Sequence, residues 1–572
     1  MSAINISVFG DTIYVANGVY EEQVVMIPGL SLIGGGMDSC VIDTRNLTFN
    51  GFVAVEFADN CLITDFKILV SDTWTGNSWV GDGIRSDDAE GIIQNILIYK
   101  AFRGIITSNS NAIIKNNFLN NINWGMLLNN SSSIVSNNQL YDIKTRGIHI
   151  EAIFSIYNPI IENNIIWTRR RGIINGFRGK ITIRNNTIFL DGDLAEGIFG
   201  GSQDTMLVYN NLIIAKYAWI GISNTITPTF NYNNFLIGNF SYRGISAGNY
   251  NVIINNTIIN SQRGIIVQSG QNPGIKYNNS WNNVVNYGGF TPDSTNLSVD
   301  PMIVNEDTTQ GDLDFHLQMY SQLIDAGDPN ILDIDGSRSD IGLYGGPYGE
   351  SYTYLDLAPR PPVNLTAEVD SEYISLSWNK NTEADFSHYN LYRDTLANFI
   401  VDSTTFVLRL TDTFYTQLIP PETERLYYKL TAADNQGNVS APSEELAVII
   451  TSIENFPHTI SDYILYQNYP NPFNPSTIIP YRLKAGGYVK LYIYDIKGEL
   501  VSILVNQWQG KGYYEVIFQP NAEERKKANS FEVPMGRTYS DIATGVYIYQ
   551  IMVKGEGNIP VFSDLGKMIL LR

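Results

Sequence analysis

Six consecutive residues, Arg146-Gly147-Ile148-His149-Ile150-Glu151, place a guanidinium, an imidazole and a carboxylate in one short run, and His149 is one of only 4 histidines in the chain. Arg169, Arg170, Arg171 and Arg178 follow shortly after. β-Elimination from a polyuronide needs a base for the proton beside the uronate carboxylate and a cation to neutralise that carboxylate. An arginine, lysine or histidine could be the base, and Ca²⁺ or an arginine the neutraliser. Glycoside hydrolysis needs two facing carboxylates instead, for which Asp82, Asp87, Asp88 and Glu151 are available. The catalytic candidates are therefore Arg146, His149, Glu151 and Arg171. Arg85, Asp87, Arg103, Trp124, Arg169 and Arg178 are the substrate-binding candidates.

These residues are positioned by a repeat. A glycine followed by an apolar residue recurs at Gly83, Gly104, Gly125, Gly147, Gly172, Gly197, Gly221, Gly244 and Gly264, in steps of 20 to 25 residues. An asparagine pair keeps the same register, at Asn116-Asn117, Asn137-Asn138, Asn163-Asn164, Asn185-Asn186, Asn210-Asn211, Asn233-Asn234, Asn255-Asn256 and Asn278-Asn279. Such a period signals stacked units that bury a core only together. The units are rich in Ile, Val, Phe and Thr and lack a helical period, so each is one coil of a parallel β-helix with rungs about 4.8 Å apart.

The pair also predicts local geometry. Ile96 and Phe66 occupy the place of the second Asn in earlier coils, so that Asn points inward. Apolar residues lie both three before it and two after it. Strict alternation cannot bury both, so the chain bends at the first Asn, which tolerates the left-handed conformation. Inward asparagines stacked rung on rung can satisfy each other's amides.

On these residues the chain resembles the right-handed parallel β-helix proteins of the pectate-lyase-like superfamily, over roughly residues 10–347. The stretch Gly10-Asp11-Thr12-Ile13-Tyr14-Val15-Ala16-Asn17-Gly18 is similar to the first coil of many members, which an amphipathic capping helix precedes. No such helix is expected here, nor a secretion signal, since Met1-Ser2-Ala3-Ile4 has neither basic start nor apolar core. The expectation is that cap and signal lie upstream of this start. Gly81-Asp82-Gly83-Ile84 followed by Asp87-Asp88 resembles polygalacturonases faintly, without their Gly-His-Gly and Arg-Ile-Lys motifs, so their activity does not carry over.

The residue before each repeat glycine reads Arg103, Trp124, Arg146, Arg171, Glu196, Ile220, Arg243 and Arg263. On a β-helix these form one column. Arginines one rung apart repel unless anions lie between them, and an acidic polysaccharide would supply carboxylates for bidentate pairing. The alternative is that they bond turn carbonyls or neighbouring acids. Alternation after the glycine exposes Arg85 and Asp87 on one rung, and His149 and Glu151 on another. Tyr99, Tyr141, Trp167 and Phe189 form an outward aromatic column that stacks on sugars or packs under loops.

The net charge of −20 and pI near 4.6 argue against nucleic acid as a partner. No run has the apolar length of a membrane span. Cys40 and Cys61 lie 21 residues apart and are read as buried stacked thiols on neighbouring coils, a spacing that would also allow a disulfide. Asp333-Ile334-Asp335-Gly336-Ser337-Arg338-Ser339-Asp340 has the alternating acids and glycine of a Ca²⁺ loop but lacks its final Glu. Asp333, Asp335 and Asp340 are candidate ligands for a structural Ca²⁺, and no other cofactor is expected. The alternative is a turn whose acids Arg338 neutralises.

Downstream of the helix (1–347) and a linker (348–362), residues 363–451, with Trp378 and Tyr389-Asn390-Leu391-Tyr392-Arg393, resemble a fibronectin type III sandwich. After a second linker (452–464), residues 465–572 carry Asn468-Tyr469-Pro470-Asn471-Pro472-Phe473-Asn474-Pro475 and end on Lys567-Met568-Ile569-Leu570-Leu571-Arg572. They resemble the C-terminal sorting domain of the type IX secretion system of Bacteroidota, apart from a polar insertion at 521–541. The three prolines fix a segment outside the strand ladders. The chain is thus expected to be an all-β, monomeric protein at the cell surface or outside the cell, exported by type IX machinery, that binds an acidic polysaccharide and, on the lyase reading, cleaves it. A non-catalytic adhesin or structural protein is the alternative.

Overall fold

The computed structural model describes residues 2–47, 53–70, 81–152, 157–176, 179–201, 205–224, 228–307, 313–370, 372–420, 423–450, 462–519 and 542–571. Arg178, the polar insertion and most of the second linker lie outside them. The chain divides into two compact units, residues 1–355 and 356–572.

The first unit is a parallel β-helix of 32 described strands in one continuous parallel ladder. Each coil has three strands. One begins at the residue before the repeat glycine, as in Arg146–Glu151. The second, as in Ile160–Glu162, ends at the asparagine bend, and the third follows it, as in Ile165–Thr168. Asn116, Asn137, Asn163, Asn185, Asn210, Asn233 and Asn255 all have φ between 50° and 59°, the left-handed bend expected of the first Asn. In the last pair the bend moves one residue earlier, to Tyr277 with φ 55°, so Asn278 rather than Asn279 takes the inward place.

Inside, Asn117, Asn138, Asn164, Asn186, Asn211, Asn234, Asn256 and Asn278 form one ladder. Each amide donates to the Oδ1 of the next asparagine at 2.9–3.0 Å, ending on Asn296. Each Oδ1 also accepts the backbone N–H of the preceding rung, beginning with Ile96. The second amide hydrogen goes to a backbone carbonyl, as from Asn186 to Ile161 at 2.9 Å. A buried amide with every group paired carries no desolvation penalty. Around it Ile, Leu and Val fill the interior. The repeat glycines line up where coils approach most closely, for a Cβ on Gly125, Gly172 or Gly197 would lie 2.5 Å from the next glycine's carbonyl.

Several expectations are corrected. A short helix, Ser2–Ile6, does precede the first coil and buries Ile4 in the main core. Cys40 and Cys61 are buried free thiols, but they do not stack. Cys40 aligns with Gly18 and Cys61 with Gly91, because the two residues fall on different strands of their coils. Tyr141, Trp167 and Phe189 stack on one another, with centroids 5.5 and 4.0 Å apart. Their faces are thereby occupied, and only edges are left for a sugar.

The segment after the last coil folds back along the helix flank. Ile303, Phe315, Leu317, Leu323 and Ile341 pack on Leu212, Ile214, Phe235, Ile237 and Ile259. The first asparagines of four pairs hold it from outside. Asn185 donates to Tyr348, Asn210 to Leu343 and Gly345, Asn233 to Asp340, and Asn255 to Ser339. The bend that turns each second Asn inward thus presents the first one as a docking group.

The second unit holds two antiparallel two-sheet arrangements. One, between Thr366 and Ile449, pairs a three-stranded with a four-stranded sheet around Trp378, Tyr389 and Tyr428. The other, between Ile464 and Leu570, does the same around Tyr481, Tyr549 and Met568. Arg393 joins them through an ion pair to Glu515 at 2.8 Å.

Replacing Asn186 by alanine removes the only acceptor of the Asn164 backbone N–H and one acceptor of its side-chain amide. Two buried donors lose a partner, and the expected destabilisation is about 2–6 kcal/mol, read as a lower midpoint in urea unfolding. An unchanged midpoint contradicts the ladder's role.

Candidate functional site

Strand register assembles the column read from sequence. Asp82 pairs with Arg103, Arg103 with Trp124, Trp124 with Arg146, Arg146 with Arg171, and Arg171 with Glu196. Neighbouring side chains then neutralise most of its charges. The Asp82 carboxylate, itself buried, takes Arg103 in a bidentate pair at 2.8 Å and Arg85 at 2.6 Å. Arg171 pairs with Glu196 at 2.8 Å. Arg243 donates to Tyr242 and Ser246. Arg103 and Arg171 therefore follow the alternative of neighbouring acids, whereas Arg243 bonds hydroxyls, which neither reading expected.

Arg146 differs. Among the described residues no carboxylate lies within salt-bridge distance of it. Its guanidinium sits 3.9 Å from the centroid of the Trp124 ring and contacts His149 Nδ1 at 2.7 Å. Burial and the neighbouring Arg171 lower its pKa, although it stays charged at any ordinary pH. A partly desolvated cation on an indole face gains from the ring quadrupole and retains N–H groups for an anion.

His149 is buried, against the exposure expected from alternation. Its outward column reads Ile106, Leu127, His149, Ile174, and the apolar members are buried with it. That run of apolar residues was the available signal that this column is covered. An arginine can only donate, so Nδ1 is the acceptor and the proton resides on Nε2. Nε2 faces Gly176, where an added Cβ would come within 3.2 Å of it. Burial, then Arg146 and Arg171, push the pKa down to about 4, so the ring is neutral near pH 7. The Glu151 oxygen 3.3 Å from Nδ1 therefore faces a neutral ring and does not form an ion pair with it. His149 orients Arg146 and is not an exposed base.

Glu151 is half-exposed at the strand end. Asp87 lies on the same column three rungs away, through Ser108 and Asn129. That is roughly 14 Å at strand spacing, beyond the span of about 10 Å that a hydrolytic carboxylate pair bridges. Asp88 accepts from Asn109 at 3.0 Å. Arg169 is exposed and only 3.6 Å from Asp142. The structure thus gathers Trp124, Arg146, His149, Glu151 and Arg171, and leaves Arg85, Asp87 and Arg103 rungs away.

The proposed calcium ligands do not converge. Asp333 accepts the backbone N–H groups of Asp340 and Gly346, Asp340 accepts those of Asp325 and the Tyr354 hydroxyl, and Asp335 caps Ser337. Arg338 donates to the carbonyls of Ala326 and Gly327, not to these acids. Burial raises the Asp340 pKa to about 6. Among the described residues, the carboxylates that do converge are Asp356, Asp385 and Asp434, which sequence reading passed over because they are scattered along the chain. A separate cavity of about 240 Å³ lies under the returning segment, lined by Asn185, Asn210, Tyr344, Tyr348 and Glu350.

A family described as "Right handed beta helix region" matches residues 50–213, the stretch that contains this site. No curated protein matches the chain. Among solved structures, the spore cortex lytic enzyme SleM of Clostridium perfringens is 19% identical, over 21% of this chain and 36% of that one, with a TM-score of 0.14. The FN1-FN3 domains of chicken CNTN1 are 10% identical, over 37% of this chain and 67% of that one, at 0.14. The central fibronectin-III array of RIM-binding protein is 10% identical, over 38% and 69%, at 0.13. The chain thus spans about a third of SleM's length, and TM-scores this low carry no argument about fold or function.

A histidine whose folded pKa lies near 4, against about 6.5 unfolded, favours the neutral form in the folded state. Its contribution is complete above pH ~6.5 and is lost as pH falls through ~4, about 3 kcal/mol in all. Melting curves of the wild type and His149→Gln should therefore converge as pH drops from 7 to 4. Curves that stay parallel would show that folding does not shift the His149 pKa and would contradict its burial as a neutral ring.

Proposed function

We propose that the β-helix binds an acidic polysaccharide along the strand edge formed by Trp124, Arg146 and Arg171. The observation that carries this reading is Arg146, a guanidinium without a carboxylate partner among the described residues. It is held in place by Trp124 and His149, with a second arginine on the adjacent rung. Uronate carboxylates or sulfate groups supply what the column lacks, an anionic acceptor with two oxygens for the remaining N–H groups. The geometry favours binding over cleavage, because the imidazole is buried with its acceptor nitrogen engaged and Glu151 and Asp87 stand too far apart to act as a hydrolytic pair.

In the same reading the second unit is a surface-delivery module. The first sandwich is a fibronectin type III-like spacer, and the terminal one serves type IX export. Its Asn-Pro run and closing strands support this, as does its compact core.

Affinity electrophoresis through polygalacturonate, alginate and neutral dextran measures the binding. The wild type should be retarded by the acidic gels alone, and Arg146→Ala should weaken binding about tenfold or more, as expected for a charge-assisted hydrogen bond. Equal retardation of both proteins contradicts the site. Appearance of unsaturated-uronate absorbance would replace binding by lyase activity. In the host, deletion of residues 466–572 should trap the protein within the cell envelope, and normal release of the deletion variant would refute the export role.

A further inference from the structure

The second unit contains a cluster of acids of its own. Asp385 immediately precedes the strand Phe386–Asp394, and Asp434 ends the strand Arg425–Asp434. These strands pair antiparallel with Phe386 opposite Asp434, so the register itself brings the two acids to one end of the sheet. Asp356 reaches the same place from the start of the unit. One carboxylate oxygen from each lies within 4.8 Å of the other two.

Three carboxylates at that separation repel one another, and among the described residues no cation pairs with them. Asp434 is buried, and its Oδ1 accepts the backbone N–H groups of Gln436, Gly437 and Asn438. The Asn438 amide bridges Asp434 and Asp356 at 2.9 Å. Arg360, the neighbouring cation, pairs with Glu383 at 3.1 Å, and among the described residues no lysine or arginine forms an ion pair with any of the three.

Asp385 is the independent observation. It is only 6% exposed, its carboxylate has an oxygen in the cluster, and among the described residues no other residue donates a hydrogen bond to that carboxylate. A carboxylate this deeply buried is stabilised by a cation or by a proton.

We propose that Asp356, Asp385 and Asp434 bind one divalent cation, calcium by the chemistry of the donors. All are hard oxygens, they come from three separate segments, and at least Asp356 keeps solvent access for water ligands, which suits the flexible six- to eight-fold shell of Ca²⁺ better than the strict octahedron of Mg²⁺. The cation would tie the start of the unit to the edge of its first sandwich.

The test uses the full chain, stripped with EDTA and titrated with CaCl₂ or MgCl₂, by calorimetry and thermal melting. The expected result is one Ca²⁺ per chain, with a dissociation constant on the order of 0.1–1 mM, as for extracellular modules, weaker binding of Mg²⁺, and a melting transition that rises with Ca²⁺. Asp385→Asn should lose at least tenfold in Ca²⁺ affinity. Without metal it should melt no lower than wild type, since one repelling charge is gone, which separates loss of the site from loss of the fold. Asp335→Asn, in the turn of the first unit, should bind Ca²⁺ as wild type does. Absence of Ca²⁺ binding by the wild type, or wild-type affinity in Asp385→Asn, would overturn the proposal.

Discussion

A buried asparagine amide is tolerable only if its donors and acceptor are paired, and in this chain the partner is the same residue one coil away. From Asn117 to Asn278 each amide is donor to the next rung and acceptor for the last. A one-residue slip of a coil would bring the first asparagine of its pair, or the residue after the second, into line with the buried amides and break the chain of bonds. The ladder therefore adds a polar constraint to the register that the buried apolar face already sets. Where the column is apolar, at Phe66 and Ile96, the backbone N–H of Ile96 still bonds to Asn117, so the ladder begins without an orphaned group.

Everything on the outside inherits that register. The left-handed bend before each ladder residue sends the first asparagine outward, and four of these hold the returning segment against the flank. The residue before each glycine is carried to the same strand edge in each coil, which turns separated arginines into neighbours about 4.8 Å apart. At that spacing like charges repel, and acids beside two of the arginines compensate part of the charge. Asp82 serves two arginines and Glu196 serves Arg171. Arg146 has no carboxylate partner among the described residues and is held instead by an indole face and a neutral imidazole that leave its charge available.

Much of this was legible in the sequence because two marks share one period. The bend and the inward Asn followed from apolar residues on both sides of the pair, and the column followed from the glycines. What alternation could not show is burial from outside. His149 alternates outward, yet it lies between Leu127 and Ile174 on a covered column. Nor could it show that Asp82 is consumed by its neighbours, since pairing depends on side-chain reach across rungs. Cys40 and Cys61 look equivalent by spacing but fall on different strands, because the early coils lack the asparagine mark that fixes phase. The cluster of Asp356, Asp385 and Asp434 carries no local motif at all, for only antiparallel pairing between distant strands assembles it.

The second unit is built on different terms. It has no ladder, and its two sandwiches are coupled by packed tyrosines around the Arg393–Glu515 pair. The β-helix depends on one repeated interaction, and that dependence is directly measurable. In native-state hydrogen exchange, the backbone amides of Ile96, Asn117, Asn138, Asn164, Asn186, Asn211, Asn234 and Asn256, which donate to ladder oxygens, should exchange only with global opening of the helix and form its slowest set. If they exchange as fast as amides at the outer bends, the ladder does not hold the coils together and the account of this fold fails.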